Sequence, residues 1–207
     1  YDYNYRYMVS LVARYDGISK LSDNRWGFFP GISAGWNVHE EAFFKDSKFA
    51  EVVSLIKPRI SYGLNGNVNG IGNFDVYGKY GSVGAYNGNL GYLNTGVVNS
   101  KLRWEKSHTF ELGLDLGFFN NRVHMIMDYY NRTTSDLLTD VNLPEYTGFP
   151  SFKTNLGTIS NRGFELEAKV NLLTKKDWSW DVTANTSFVK NIVKKLPFNG
   201  NANNRQG

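Results

Sequence analysis

The chain contains no cysteine, which excludes disulfide bonds, thiolate zinc sites and cysteine nucleophiles together. It also lacks any apolar run near the ~20 residues that a membrane-spanning helix needs, so a membrane protein with this sequence would have to cross with strands. Its net charge of +4 is spread over the chain without a basic block. Nucleic-acid binding is therefore not predicted.

Aromatic residues and glycine are abundant instead. Aromatics make up 15% of the residues, and there are 21 glycines. This mixture is typical of strands edged by aromatic side chains and joined by turns. A soluble β-sandwich has much the same composition, so the order of the residues has to decide between the two.

Residues 1–16 alternate between two kinds of side chain. One predicted strand face carries Tyr1, Tyr3, Tyr5, Tyr7, Val9, Leu11, Ala13 and Tyr15, and the other carries polar residues that include Arg6 and Arg14. A strand of a soluble sheet is usually about 5 to 6 residues long. A longer two-faced strand with tyrosines at both ends favours lipid on one side and a polar lumen on the other.

Six further segments alternate in the same way, at about residues 25–38, 53–65, 104–119, 122–134, 163–172 and 178–188. Asn120 and Asn121 predict a two-residue hairpin turn, because asparagine tolerates positive φ. Pro30 predicts a bulge or break, since it cannot donate a ladder hydrogen bond. Residues 39–50 predict a short amphipathic helix or turn.

The links between these strands are unequal. Those after the second, fourth and sixth strands are short or compact, residues 17–24 are intermediate, and residues 66–101 and 135–158 are long and irregular. Outer-membrane barrels have short periplasmic turns and long extracellular loops. The three longer links, 17–24, 66–101 and 135–158, are therefore predicted to be extracellular.

Charge separates the two faces. The central parts of the apolar faces carry no charged residue. In these parts a cation facing lipid would destabilise the barrel by roughly 2 to 4 kcal/mol. Lys106 and His108 fall on the apolar side only near an extracellular strand end. The residues predicted to face the lumen or a plug are Arg6, Arg14, Lys57, Arg59, Glu111, Asp115, Asp128, Glu165, Glu167 and Lys169.

The predicted fold is all-β, a transmembrane antiparallel β-barrel with about seven strands in this chain. Bacterial single-chain barrels have an even number of strands, so seven strands require further strands from outside this chain to close a barrel. The chain begins in mid-strand, and residues 199–207 form a polar tail without a strand partner. We expect the sequence to be a piece of a longer polypeptide.

Several phrases, in order over nearly the whole chain, resemble the SusC/RagA family of TonB-dependent outer-membrane transporters from Bacteroidetes. They are Arg14-Tyr15-Asp16-Gly17, Asn24-Arg25-Trp26-Gly27-Phe28-Phe29-Pro30, Ser33-Ala34-Gly35-Trp36, Leu102-Arg103-Trp104-Glu105, Gly117-Phe118-Phe119-Asn120-Asn121-Arg122, Asp128-Tyr129-Tyr130 and Asn161-Arg162-Gly163-Phe164-Glu165. Each phrase is weak alone, whereas the ordered set is specific.

The resemblance implies a 22-stranded barrel in the bacterial outer membrane. Residues 1–207 would be a partial barrel domain from its C-terminal half, without the plug domain, the TonB box or the final strands. It further implies import of oligosaccharides, glycans or peptides, energy from the TonB complex, and a SusD-like surface lipoprotein as a lid. Outer-membrane lipid would surround the barrel.

Five aromatics in the long Gly/Asn-rich loop are candidate substrate contacts: Phe74, Tyr77, Tyr80, Tyr86 and Tyr92. They could stack on sugar rings or peptide side chains. Packing of the loop on itself or on a lid protein is the favoured alternative.

No catalytic residue, metal ligand set or cofactor site is predicted. Asp75 is the one carboxylate in the Asn-rich stretch 63–75, so turn formation is favoured there over calcium binding. Glu165 and Glu167 resemble paired catalytic acids, but they continue a polar stripe and favour a lumen wall. A non-energised porin or adhesin barrel and, less favoured, an outer-membrane hydrolase are the alternatives to a transporter.

Overall fold

The computed structural model describes residues 1–197, and the polar tail at 199–207 lies outside them. The ten strands of the described part are β1 (Asp2–Tyr3), β2 (Tyr7–Gly17), β3 (Trp26–Trp36), β4 (Val53–Asn67), β5 (Tyr80–Tyr86), β6 (Asn89–Asn94), β7 (Glu105–Phe118), β8 (Val123–Asn142), β9 (Ser151–Lys175) and β10 (Trp178–Lys195). No helix in residues 1–197 is long and apolar enough to cross a membrane.

Eight strands form one antiparallel sheet in the order β1-β2-β3-β4-β7-β8-β9-β10, and β5 and β6 form a separate hairpin. Because the strands form an antiparallel meander, every second link emerges at the same end of the sheet. We call this the loop end, with residues 18–25, 68–104 and 143–150. The links at the opposite end of the strands, residues 37–52, 119–122 and 176–177, form the turn end.

The register confirms the two predicted faces. Rows such as Leu11↔Ile32↔Tyr62↔Phe110 run across neighbouring strands on the apolar side, which we call the outer face. Rows such as Arg59↔Gly113↔Asp128↔Glu165 run across the opposite side, which we call the inner face. The fold class predicted from periodicity is therefore confirmed as an antiparallel sheet with one apolar and one polar side.

The first predicted strand is not continuous. Asn4 and Tyr5 have φ of 51° and 55°, and the chain turns so that Asp2 and Tyr3 pair with Met8 and Tyr7. The Asp2 carboxylate accepts a hydrogen bond from the Tyr5 N–H at 2.9 Å and holds this turn. Alternating tyrosines fit one long strand or a hairpin equally well, and the asparagine allowed the hairpin.

The predicted irregular link at 135–158 is mostly strand. β8 continues to Asn142 and β9 starts at Ser151, and their ladder shifts register between Ser135 and Leu138. Asp136 has φ of 56° at this bulge. A bulge puts one extra residue into the alternation, which hid the strand from a period-two pattern.

The long loop also contains regular structure that the sequence prediction missed. β5 and β6 are joined at Asn87 and Gly88, which have φ of 47° and 80°. Asn-Gly is the strongest short-range signal for a hairpin turn, and it was available in the sequence. The predicted turn at Asn120 and Asn121 is confirmed, with φ of 55° and 62°.

The prolines end the β3–β4 ladder, and Pro30 does not introduce a bulge into the β2–β3 ladder. Pro30 pairs in register with Ala13 of β2, so a bulge on that side was a wrong prediction. The β3–β4 ladder, however, runs only from Gly31↔Gly63 to Gly35↔Arg59, between Pro30 on β3 and Pro58 on β4. Neither proline has an N–H to extend that ladder, which explains both of its ends.

Short helical turns follow where this ladder stops. Two 3₁₀ turns, Val38–Glu40 and Lys48–Glu51, flank the helix α1 (Ala42–Lys45), which confirms the predicted helical link. A ring nitrogen of His39 lies 3.3 Å from the Ile56 carbonyl oxygen. The link therefore contacts the end of β4 that is paired with β7 but not with β3.

The buried core lies at the loop end of the sheet, where loop residues pack against Phe29 of β3. Its members are Leu21, Phe29, Ile71, Val76, Leu102 and Trp104, with Ile18, Leu64, Val68 and Leu138 packed against them. Phe29 and Trp104 meet edge to face, with ring centroids 5.3 Å apart. We call residues 18–25, 68–79 and 97–104, with the loop-end parts of β8 and β9, the loop cap.

Candidate functional site: the inner face and the loop cap

The centre of the inner face is an ion-paired cluster on three adjacent strands. The Arg59 guanidinium donates to Asp115 Oδ1 through Nε at 3.1 Å and through Nη2 at 2.8 Å. The same Nη2 donates to Asp128 Oδ1 at 3.1 Å. Gly113 lies beneath them, and a Cβ there would come within 2.8 Å of Arg59 Cζ. The glycine thus gives the guanidinium room to reach both carboxylates.

Eight of the ten predicted lumen residues come together on β4, β7, β8 and β9. They are Lys57, Arg59, Glu111, Asp115, Asp128, Glu165, Glu167 and Lys169, all on the inner face by register. Five are acidic, so this wall is negatively charged overall. Ile126 interrupts the polar stripe between Asp115 and Glu167.

Two shallow grooves run over this wall. One, of about 300 Å³, is lined by Lys57, Arg59, Glu111 and the small side chains of Ser10 and Ser33. The other, of about 500 Å³, is lined by Asp128, Glu165, Glu167, Asn185 and Ser187. Glu165 and Glu167 are exposed, so the second groove presents carboxylates at the surface of the inner face.

The other two predicted lumen residues lie elsewhere. Arg14 is on the inner face of β2, with its guanidinium carbon 5.9 Å from the Phe29 ring centroid, and it borders the loop cap. Arg6 lies in the turn before β2 and pairs with Glu41 Oε2 at 3.3 Å. The alternation places Arg6 in the lumen only if the first strand is continuous, and the turn at Asn4 and Tyr5 removes that basis.

A second polar network ties the loop cap to the sheet. Asn155 is 5% exposed and satisfies its amide completely, accepting from the Arg103 N–H and donating to the carbonyls of Arg103 and Asp136. Arg103 Nη2 also donates to Asp136 Oδ1 at 2.7 Å. This hydrogen bond raises the pKa of Arg103 above its ordinary value, against a smaller opposing effect of burial. The cap is thus held at a fixed position.

Asp75 fixes the start of the long loop. Its carboxylate accepts from the Gly72 N–H at 2.8 Å and lies 2.6 Å from Lys79 Nζ and 3.4 Å from Lys153 Nζ. Burial alone would raise the pKa of Asp75, but these hydrogen bonds and charges hold it below the ordinary value. Among residues 1–197, no group of three or more His, Cys, Asp or Glu side chains is arranged to hold a metal ion. Asp75 closes a turn through the Gly72 N–H.

The five loop aromatics do not form one site. All are exposed, from 59% for Tyr77 to 89% for Tyr86. Tyr80 and Tyr92 share one face of the β5–β6 hairpin by register, and Tyr86 lies on the other. Phe74 and Tyr77 belong to the turns before β5. The sequence grouped them by spacing, whereas the hairpin separates them.

Aromatic pairs mark both ends of the outer face, and sequence reasoning found them only in part. Tyr15 stacks on Trp26 at 5.1 Å, and Tyr7 stacks on Trp36 at 6.2 Å. The predicted end at Tyr1 is wrong, because Tyr7 occupies that place. The second pair also donates to one carboxylate, with Tyr7 Oη at 2.6 Å and Trp36 Nε1 at 3.1 Å from Glu41 Oε1.

Comparison with known proteins identifies relatives over nearly the whole chain. The family model for the TonB dependent receptor-like beta-barrel matches residues 1–206. TonB-dependent receptor P39 of Formosa agariphila is 35% identical over 197 residues, which is 95% of this chain and 19% of that protein. TonB-dependent receptor SusC of Bacteroides thetaiotaomicron is 36% identical over 200 residues, covering 92% and 20%.

A solved structure of the RagAB peptide transporter is similar in fold as well. It aligns with a TM-score of 0.84 and 30% identity, over 94% of this chain and 21% of that one. The chain therefore spans about a fifth of the length of the relatives that it matches.

Proposed function

The chain belongs to the TonB-dependent receptor-like β-barrel family of the outer membrane, and from that premise we propose that it is one wall of an active importer. The carrying observation is the contrast between the two faces of one sheet. The outer face is apolar from the Tyr7–Trp36 pair to the Tyr15–Trp26 pair, while the inner face carries the Arg59–Asp115–Asp128 cluster.

The inner face supports a lumen rather than a packed protein interior. Glu165 and Glu167 are exposed and line a groove, and a lipid environment on that side would be unfavourable for these carboxylates. In the proposed importer these carboxylates contact the plug or the passing substrate. The ion-paired Arg59 cluster is the rigid part of the same wall.

The loop end supports a partner at the cell surface. Exposed apolar and aromatic side chains cover the β5–β6 hairpin, among them Tyr80, Tyr86, Leu90 and Tyr92, and an isolated two-stranded hairpin is marginally stable in water. We propose that a SusD-like surface lipoprotein closes over this end as a lid. The substrate would be an oligosaccharide, a glycan or a peptide, and TonB would supply the energy.

We further propose that the protein is not an enzyme. Its relatives are named as receptors and transporters, and the acidic residues of the inner face form ladder rows with structural partners rather than an acid and base poised over one bond. A porin or adhesin barrel would share the wall but would work without TonB.

The test uses the full-length protein in its native membrane with its partner lipoprotein. Ligand that copurifies would be identified by mass spectrometry, and uptake of that labelled ligand would be measured with and without a functional TonB complex. We expect uptake to stop without TonB while surface binding remains. Unchanged uptake would favour a passive barrel, and cleavage of the ligand by the purified protein would favour a hydrolase.

A further inference from the structure

The tip of the β5–β6 hairpin is an Asn-Gly pair in open solvent. Asn87 and Gly88 have φ of 47° and 80°, and the pair Tyr86↔Asn89 closes the two-residue turn. Every residue from 82 to 90 is exposed, and a Cβ on Gly88 would meet nothing within 4 Å. Water therefore reaches both residues of the tip.

The hairpin that carries this tip is separate from the main sheet. Among the described strands, β5 and β6 pair only with each other, and at the stem the Thr95 N–H donates to the Lys79 carbonyl at 2.6 Å. A two-stranded hairpin is marginally stable in water, so local opening at the tip requires little free energy. Asn87 can then leave the conformation that the turn imposes on it.

An asparagine that precedes a glycine can lose its side-chain amide in water. The backbone nitrogen of the glycine gives up its proton and attacks the asparagine Cγ, the bond from Cγ to the amide nitrogen breaks, and ammonia leaves. Water then opens the resulting succinimide ring at either carbonyl, which gives aspartate or isoaspartate. One water is consumed for each ammonia released. Glycine favours the reaction because it has no Cβ to hinder the attack.

A second Asn-Gly pair, Asn65-Gly66, is held inside the sheet. It lies in the ladder between β4 and β7, and the Phe29 and Trp104 rings cover Gly66. Ring closure there would require the ladder to open and the two buried rings to move. This pair is therefore protected by the fold.

A third pair, Asn69-Gly70, is exposed but anchored. The Ile71 N–H donates to the Val68 carbonyl at 3.0 Å and closes a turn around the pair, and both flanking side chains pack in the core of the loop cap. Lys153 Nζ donates to the Gly70 carbonyl at 2.7 Å. Exposure alone thus does not set the hairpin tip apart, whereas its lack of anchoring contacts does.

We propose that Asn87 is a site of spontaneous modification, at which asparagine converts to isoaspartate and the conversion opens the β5–β6 hairpin. Isoaspartate carries the main chain through its side-chain carbon, so it adds a backbone atom and a negative charge at the tip. A two-residue turn with positive φ at both positions has no place for the extra atom. Loss of the turn separates Tyr80 from Tyr92, because their shared face depends on the ladder.

The experiment follows the three pairs together in the full-length protein, purified in detergent and kept at mildly alkaline pH. The water is enriched in the heavy isotope of oxygen, which labels only carboxyl groups formed during this incubation. Trypsin cleaves after Arg59, Lys79 and Lys101, so the hairpin tip lies in one peptide and the two anchored pairs lie in its neighbour. Mass spectrometry with electron-transfer fragmentation measures conversion at each pair and separates aspartate from isoaspartate.

We expect conversion at Asn87 to be at least about tenfold faster than at Asn65 or Asn69, because the latter two react only after part of the sheet or cap opens. In urea that unfolds the barrel, the three rates should converge, since the reacting dipeptide is then the same in all three places. The comparison of folded and unfolded protein separates the effect of the fold from that of the sequence.

Asn87→Gly is the matched control, since glycine suits the positive φ of the turn and has no amide to lose. In the unsubstituted protein, hydrogen-exchange protection of residues 80–94 should fall in proportion to the isoaspartate fraction. Protection in Asn87→Gly should stay constant through the same incubation. Asn87→Asp carries the charge without the added backbone atom, and its hairpin should be formed at the start.

Conversion at Asn87 that is absent, or no faster than at Asn65 and Asn69 in the folded protein, would overturn the proposal. Conversion that leaves the protection of residues 80–94 unchanged would also overturn it, as would an equal loss of protection in Asn87→Gly. The measurement needs no substrate, lipoprotein or TonB. Its result is therefore independent of the proposed import function.

Discussion

At the scale of single residues, glycine decides where large side chains can lie against the sheet. A Cβ on Gly113 would come within 2.6 Å of Asp128 Oδ1, and one on Gly163 within 2.5 Å of the Tyr130 ring. A Cβ on Gly66 would collide with the Phe29 ring and reach within 2.8 Å of the Trp104 ring. These glycines are sites of close approach, because a ring or a guanidinium covers each of them.

Gly66→Ala should destabilise the loop cap. The Phe29 and Trp104 rings are buried together, so neither can move aside without opening the cluster. We expect a loss of about 1–3 kcal/mol, typical of overpacking, seen as a lower temperature of heat-induced unfolding of the full-length barrel. Gly63→Ala on the same strand is the control, since nothing lies within 4 Å of its added Cβ. Equal effects of the two substitutions would contradict this account.

Asp115→Asn should weaken the inner wall more than Glu165→Gln. Asp115 accepts two hydrogen bonds from Arg59, which is half-buried, and its loss leaves that charge with Asp128 alone. Breaking a hydrogen bond to a charged group costs about 1.5–3 kcal/mol, whereas exposed Glu165 has no ion pair among the described residues. Thermal unfolding of both variants measures the difference, and a smaller effect at Asp115 would refute the cluster as a stabilising unit.

At the scale of elements, the loop cap is a small folded unit attached to a sheet that has no buried core of its own. Asp75 joins residues 68–79 to β9 through Lys153, whose Nζ also donates to the Gly70 carbonyl at 2.7 Å. Hydrogen bonds from Asn24 to the carbonyls of Lys101 and Leu102 join two further segments. The cap therefore depends on contacts that single strands do not provide.

The cap should loosen at acidic pH through Asp75. Its folded pKa is lower than its unfolded value, so its contribution is fully present above the ordinary Asp range and is lost as the pH falls through the folded value. We expect lower hydrogen-exchange protection factors at residues 70–79 on acidification, after the intrinsic pH dependence of amide exchange is divided out, and Asp75→Asn should lose this change in protection. Asp23→Asn, also in the cap, is the control and should keep it.

The β5–β6 hairpin allows the predicted aromatic contacts to be tested by face. If the loop binds substrate by stacking, Tyr80→Ala and Tyr92→Ala should weaken binding together, because they share a face. Tyr86→Ala on the opposite face should then have a smaller effect. Binding of the identified ligand to the full-length protein, with normal membrane assembly confirmed, measures this. Equal uptake by all three variants would leave packing or lid contact as the role of the loop.

At the scale of the whole molecule, the aromatic pairs define the height of the lipid-facing band. Tyr7 and Tyr15 are eight residues apart on β2, a span of about 26 Å at ~3.3 Å per residue. Because the strands of such barrels tilt by roughly 35–45°, this span covers about 19–22 Å along the membrane normal, slightly less than the apolar band of roughly 25 Å on outer-membrane barrels. Trp104, by contrast, is buried in the loop cap.

Tryptophan fluorescence should therefore report the orientation of the wall. In full-length variants that retain a single tryptophan, Trp26 and Trp36 should be quenched by lipids brominated near the headgroup. Trp104 should be little affected, since it is 9% exposed and packed against protein. Strong quenching at Trp104, or none at Trp26 and Trp36, would contradict the assignment of the outer face.

The sequence by itself determined the two faces, because side-chain alternation is a local property of extended chain. It also determined the Asn120-Asn121 turn, and its Asn87-Gly88 pair indicates the turn of the β5–β6 hairpin. It could not determine the turn at Asn4, since the same alternation fits a strand and a hairpin, nor the strands hidden by the bulge at Asp136.

The tertiary structure alone decided which charges meet. Arg59 reaches Asp115 and Asp128 because β4, β7 and β8 are neighbours, although more than 50 residues separate Arg59 from either partner along the chain. The core of the loop cap arises in the same way, from segments far apart in sequence. Local periodicity specifies which way a side chain points, and only the order and register of the strands specify what it meets.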